Sequence, residues 1–144
     1  MSRARWVAVL TVVSCSALAQ PVDTRQLVKM PEPAVATLRA EMRENLVTLN
    51  EIVTLVVAGK VKEAGVVAEQ KLGTGVMGQH RDKPVEARPG AHMPPAMHDL
   101  GRNQHKTASA FAAIAATGDR EKTLAALPTL NAACVSCHLA FRVR

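Results

Sequence analysis

The sequence predicts an all-α fold, an up-down-up-down antiparallel four-helix bundle occupying residues 33–144. Three observations carry that expectation. Apolar residues recur at three- and four-residue steps along four separate stretches. Gly and Pro separate those stretches, with short links between the first and second and between the third and fourth. No strand-type alternation and no internal repeat interrupts the pattern.

Residues 20–32, with Pro21 and Pro31 and with Pro33 just beyond, read as a flexible lead-in. The first helix is predicted from Pro33 to about Gly59. Proline suits a first turn because its missing N–H has no partner there in any case. Leu38, Met42, Leu46, Leu49, Val53 and Val56 form its expected buried stripe. The second helix spans 61–72, with Val61, Ala64, Ala68 and Leu72 on one face and Gly73-Thr74-Gly75 at its end. Residues 73–95 are rich in Gly and Pro and form a long connection, a length that marks functional or disordered loops. The third helix runs from Pro95 to about Thr117, burying Met97, Leu100, Gln104, Thr107, Ala108, Phe111 and Ile114. Asp119 is placed to cap the fourth, over 120–141. Its stripe is Leu124, Leu127, Leu130, Cys134, Cys137 and Phe141, and Pro128 is expected to kink or restart it.

The first 19 residues read as an export signal. Arg3 and Arg5 precede an apolar run over 6–13, too short to span a bilayer, and Ala17-Leu18-Ala19 fits a cleavage site. Val12-Val13-Ser14-Cys15 loosely resembles a bacterial lipoprotein box, which makes lipid attachment at Cys15 a minor alternative. No other stretch is expected to reach transmembrane length. Cleavage at Ala19 removes two of the basic residues, so a net charge of +6 falls to +4. The remaining basic residues are scattered, which argues against a nucleic-acid partner. Only two aromatic residues, Phe111 and Phe141, survive cleavage, and alanine dominates the third helix. Such a core buries little area per residue. It is expected to be loosely packed without an added group.

Cleavage also leaves Cys134 and Cys137 as the only cysteines. Cys134-Val135-Ser136-Cys137-His138 is a C-x-x-C-H sequence, the attachment pattern for haem c. Three residues apart on a helix, the two thiols share a face. Each can add across a haem vinyl group to form a thioether, and His138 can give an imidazole nitrogen to the iron as proximal ligand. One covalent haem c, with its iron, is the cofactor expected. A redox disulfide of the thioredoxin type would follow a strand, and none is predicted before Cys134. A structural zinc site would need four ligands, and a second cysteine pair is missing.

The four helices and the tail Cys134-Val135-Ser136-Cys137-His138-Leu139-Ala140-Phe141-Arg142 resemble the cytochrome c′ family, the class II c-type cytochromes. That family ends C-x-x-C-H-x-x-aromatic-basic, and Phe141 and Arg142 stand at those positions. Class I cytochromes c carry the motif near the N-terminus with a Met after it, and no Met follows Cys137. The resemblance implies a periplasmic haem protein. It places Phe141 near the haem and Arg142 near the proximal His or a propionate. Some members transfer single electrons to a partner protein, with a Met as sixth ligand. Others leave that position vacant and bind nitric oxide or carbon monoxide. Dimers through the first two helices also occur in the family.

The sixth ligand is expected from the first helix. His138 lies roughly 6 Å from the end of the fourth helix, while Leu38 and Met42 lie roughly 8 and 14 Å into the first. Of these two only Met42 has a donor atom, and related bundles draw their Met from this helix. Thioether ligation and electron transfer are therefore the favoured expectation, with gas binding as the alternative. Met77, His80, His92, Met93, Met97, His98 and His105 are competing soft or borderline ligands for haem iron or copper, though no fixed spacing orders them. An enzyme is not expected, because no distal His–Arg pair of the peroxidase type is evident.

Overall fold

A computed structural model describes residues 22–144. The expectations for Arg3, Arg5, Cys15 and the Ala17–Ala19 site lie outside the described residues. The fold is all-α, built on four helices: α1 over Glu32–Val57, α2 over Val61–Leu72, α3 over Pro95–Ala116 and α4 over Arg120–Ala140. Helix α1 packs on α2, α2 on α3 and α3 on α4, while the α1–α4 seam is much the loosest.

Local chemistry sets the boundaries. Pro33 sits in the first turn of α1. The side chain of Asp119 accepts from the Lys122 main-chain N–H at 3.0 Å, the predicted cap of α4. Gly59 and Gly118 take φ of 79° and 78°, the left-handed conformation that lets the chain reverse after α1 and α3. Helix α4 runs through Pro128 as a single element, so the expected restart does not occur. Pro128 is exposed, so water can serve the carbonyl whose helical donor is missing.

Two apolar clusters follow one another along the helices. The first joins Ile52 and Val56 of α1, Val61, Ala64, Ala68 and Leu72 of α2, Ala108, Phe111 and Ala115 of α3, and Leu130 of α4. The second joins Ala34, Val35 and Leu38 of α1, Met97 of α3, Phe141, and Val28 and Met30 from before α1. The predicted stripe on α1 needs correction. Leu46 is 67% exposed and Val53 40%, whereas Thr48 and Ile52 are buried. The cause is the position of the neighbours. Glu51 pairs with Lys71 of α2 at 3.6 Å and Glu41 with His80 of the connection at 3.2 Å, so burial is drawn towards that flank. On α4 the fully buried residues are Thr123, Leu130 and Ala133, with Leu124, Leu127, Cys134 and Cys137 only partly covered.

The lead-in holds an element that was not expected. Residues Gln26–Val28 form strand β1, paired in parallel with β2, Phe141–Val143. Three residues are too few to show alternation, and parallel pairing across the whole chain leaves no hairpin signal. The connection is likewise ordered into three short 3₁₀ turns, Thr74–Val76, Val85–Ala87 and Pro89–His92, the last two against α1.

A second correction concerns α4. Residues 123–140 contain no Asp, Glu, Lys or Arg. Among the described residues α4 is long and apolar enough to cross a membrane by length and composition, yet only 17% of its most apolar window is buried.

The closest helix approach is made by Gly65. A Cβ there would lie 2.9 Å from Ala115 Cβ and 3.1 Å from the Ala112 carbonyl oxygen. Gly65→Ala gains about 1 kcal/mol of helix propensity. Overpacking against a rigid neighbouring helix costs about 1–3 kcal/mol. Chemical denaturation of Gly65→Ala is expected to show a net loss, with the larger Gly65→Val losing more.

Candidate haem-attachment site

Cys134, Cys137 and His138 lie in the last two turns of α4. Cys134 and Cys137 are free thiols, each partly buried. Burial pushes both thiols above their ordinary range, and the neighbouring Cys134 raises Cys137 further. Both are therefore protonated at neutral pH, and neither is a ready thiolate. His138 is exposed.

Two of the predicted site residues border the same apolar cluster. Cys137 and Met42 both pack against the second apolar cluster, together with Met93, Leu100 and Val143. Leu38, the other candidate to face the iron, is buried inside that cluster. Four of the described methionines, Met30, Met42, Met93 and Met97, belong to this cluster or touch it. Helical spacing placed Met42 and Met97 on buried stripes, and register pointed to Met42 alone as the sixth ligand. The lead-in gave no helical period to place Met30, and the connection gave none to place Met93.

The helical repeat shows which flanks border the loose seam. At roughly 100° per residue, Met42, Leu46 and Val53 lie on the flank of α1 turned away from Glu51 and α2. By the same repeat Leu127, Asn131, Cys134 and His138 share a strip on α4. That strip is turned away from Ala126 and Thr129, which with Thr107 and Phe111 of α3 line an open hollow of about 370 Å³. The hollow is on the α3 side of α4 and holds none of the motif residues. Exposed apolar side chains also flank the motif in sequence, with Val135 43% and Leu139 72% exposed.

A covalently held haem fits these residues. Among the described residues two buried side-chain polar atoms have no hydrogen-bond partner, Gln104 Nε2 and Arg142 Nε. Arg142 Nε is 3.5 Å from Asp23 Oδ2, in ion-pair range but without hydrogen-bond geometry. An unsatisfied buried guanidinium donor four residues after His138 suits a propionate carboxylate. Gln104 lies on α3 between Leu100, which meets the second cluster, and Ala108 of the first. The half-covered thiols, the exposed apolar side chains beside them and the donor without a hydrogen bond are compatible with a large apolar ring with an anionic edge.

The competing histidines each have one ring nitrogen at a polar partner, whereas Met93 and Met97 stay at the second cluster. His80 Nε2 lies 3.2 Å from Glu41 Oε2, and His92 Nε2 is 3.0 Å from the Val85 carbonyl oxygen. His105 Nδ1 is 2.8 Å from the Leu72 carbonyl oxygen, and His98 Nδ1 is 3.1 Å from Arg102 Nη1. Among the described residues no three His, Cys, Asp or Glu side chains converge on a point where they would hold a metal ion.

Asp23 is the anion of this end. Its carboxyl is held down to about 2, chiefly by the Arg25 side chain, then by the Arg25 main-chain N–H, with lesser help from the charges of Arg25 and Arg142. A lowered carboxyl pKa means that the interaction is complete above the ordinary range near ~4 and is lost as pH falls through the folded value. Carboxyl-carbon resonances followed against pH are expected to give Asp23 a midpoint near 2. In the Arg25→Ala protein the midpoint should rise towards ~4.

No known family, curated protein or solved structure matches this chain.

Proposed function

We propose that this chain is an exported c-type cytochrome that transfers single electrons to a redox partner protein. It is read as an up-down-up-down four-helix bundle similar to the cytochrome c′ family. One haem is held by thioethers from Cys134 and Cys137, with His138 as proximal ligand and Met42 as sixth ligand. The observation that carries the reading is that Cys137, inside the C-x-x-C-H motif, and Met42 each pack against the same apolar cluster.

When bound, the haem supplies a one-electron iron couple. The residues around it have separable tasks. Cys134 and Cys137 would hold it covalently, so it is not lost on dilution. The Met42 thioether is a soft neutral donor that favours the reduced state relative to a second imidazole. Val28, Leu38, Met97 and Phe141, all buried, keep water from the Met42 side. Arg142 would balance a propionate, and its Nε, which has no hydrogen-bond partner, would be the donor for that contact.

A second reading rests on Leu38. It is buried in the cluster that Met42 only borders. If Leu38 rather than Met42 covers the iron, the sixth position is open and the protein binds nitric oxide or carbon monoxide.

The two readings separate in one set of spectra. Protein made in a host that attaches haem c is expected to keep its haem through denaturing electrophoresis. Cys134→Ala and Cys137→Ala should each remove one thioether, and the double variant should lose stable attachment. The ferrous wild type is expected to be low-spin, and Met42→Ala should turn it high-spin and admit carbon monoxide rapidly. A high-spin wild type would remove Met42 from the iron and leave gas binding. A wild type that releases all its haem would end the cytochrome reading.

A further inference from the structure

The segment before α1 meets the end of α4 at successive points. Arg25 Nη1 donates to the main-chain carbonyl of His138 at 3.4 Å. Arg144 donates its main-chain N–H to the Val28 carbonyl at 3.3 Å, and Met30 donates to the Arg144 carbonyl at 3.2 Å. Between them lies the parallel pairing of β1 with β2. Asp23 holds Arg25 in place by accepting from its Nη2 at 2.7 Å, its Nε at 2.9 Å and its main-chain N–H at 3.1 Å. The same carboxylate lies 3.5 Å from Arg142 Nε.

The His138 carbonyl is one of the last four of α4, which have no donor within the helix. Phe141 still donates to Cys137, but the chain then turns into β2. Arg25 supplies the donor that the next turn of helix would have given, and its charge suits the negative end of the helix dipole.

We propose that Asp23 and Arg25 are positioning residues for His138. Arg25, held rigid by Asp23, fixes the peptide of the proximal ligand and so fixes the direction from which the imidazole approaches the iron. The inference rests on the reading of His138 as proximal ligand. The contact is to the main chain and not to the ring, so it acts on the imidazole only by holding the Cα from which the side chain projects. The pair is exposed, so its effect falls on geometry and not on overall stability.

The test uses the haem-loaded full chain with Met42→Ala, whose ferrous iron keeps only the His138 bond. Asp23→Ala, Arg25→Ala and both together are compared by the resonance Raman iron–histidine stretch. Haem retention on a denaturing gel is checked first, and a parent protein without covalent haem overturns the cytochrome reading itself. With haem retained, both single variants should shift the band in the same direction, and the double variant should match either single, as members of one unit do. Arg25→Lys keeps the charge without the fork and should restore part of the shift. The melting midpoint should stay unchanged. Two independent surface charges would instead give opposite shifts that cancel in the double variant. Opposite shifts, or an unmoved band in either single variant, would overturn the clamp while leaving covalent haem intact.

Discussion

Residues 123–140 contain no Asp, Glu, Lys or Arg, and covering the apolar side chains along that length of α4 is favourable. Helix α3 covers one flank and buries Leu130 in the core. Contact of α4 with α1 is sparse, and Val135 and Leu139 of α4 remain exposed, as do Leu46 and Val53 of α1. Apolar surface of this kind is not stabilised by contact with water. The proposed haem resolves the mismatch, because the group that the motif binds is also a large apolar plate.

The two ends of the molecule handle packing differently. Around Phe111 the first cluster is closed by small residues, with Gly65 letting α2 approach α3 and Ala64, Ala68, Ala108 and Ala115 filling the contact. Close backbone approach there does the work that aromatic rings do in other cores. The second cluster uses methionine instead. Met30, Met93 and Met97 converge from three different segments, with Met42 beside them and Cys137 at the edge. Thioether side chains adapt to irregular surroundings, and they also offer soft donors close to the motif. Strand β1 seals this end by adding Val28 and Met30 and by holding the chain beyond α4.

Much of this was legible in the sequence. The bounds of α2 and the starts of α3 and α4 follow from apolar period and turn residues, and the Asp119 cap from its residue type. The buried face of α1 was legible only in part. Apolar residues cover more than half of its circumference, and periodicity alone does not say which part faces a neighbour. That was decided by the partners of Glu41 and Glu51. The β1–β2 pairing was invisible for a different reason. It joins residues more than a hundred positions apart, in strands too short to alternate. At the site, the C-x-x-C-H motif named Cys134, Cys137 and His138 at once. Met42 required helix register, and Arg25 required a contact that no local pattern encodes.

The central claim is that Cys134 and Cys137 are joined to one haem. Intact-mass measurement of the exported protein, with and without a thiol-alkylating reagent, tests it most directly. The mass is expected to exceed that of the polypeptide by one haem, with neither cysteine alkylated even after unfolding. A polypeptide of unmodified mass, with two alkylatable thiols or a Cys134–Cys137 disulfide, would contradict it.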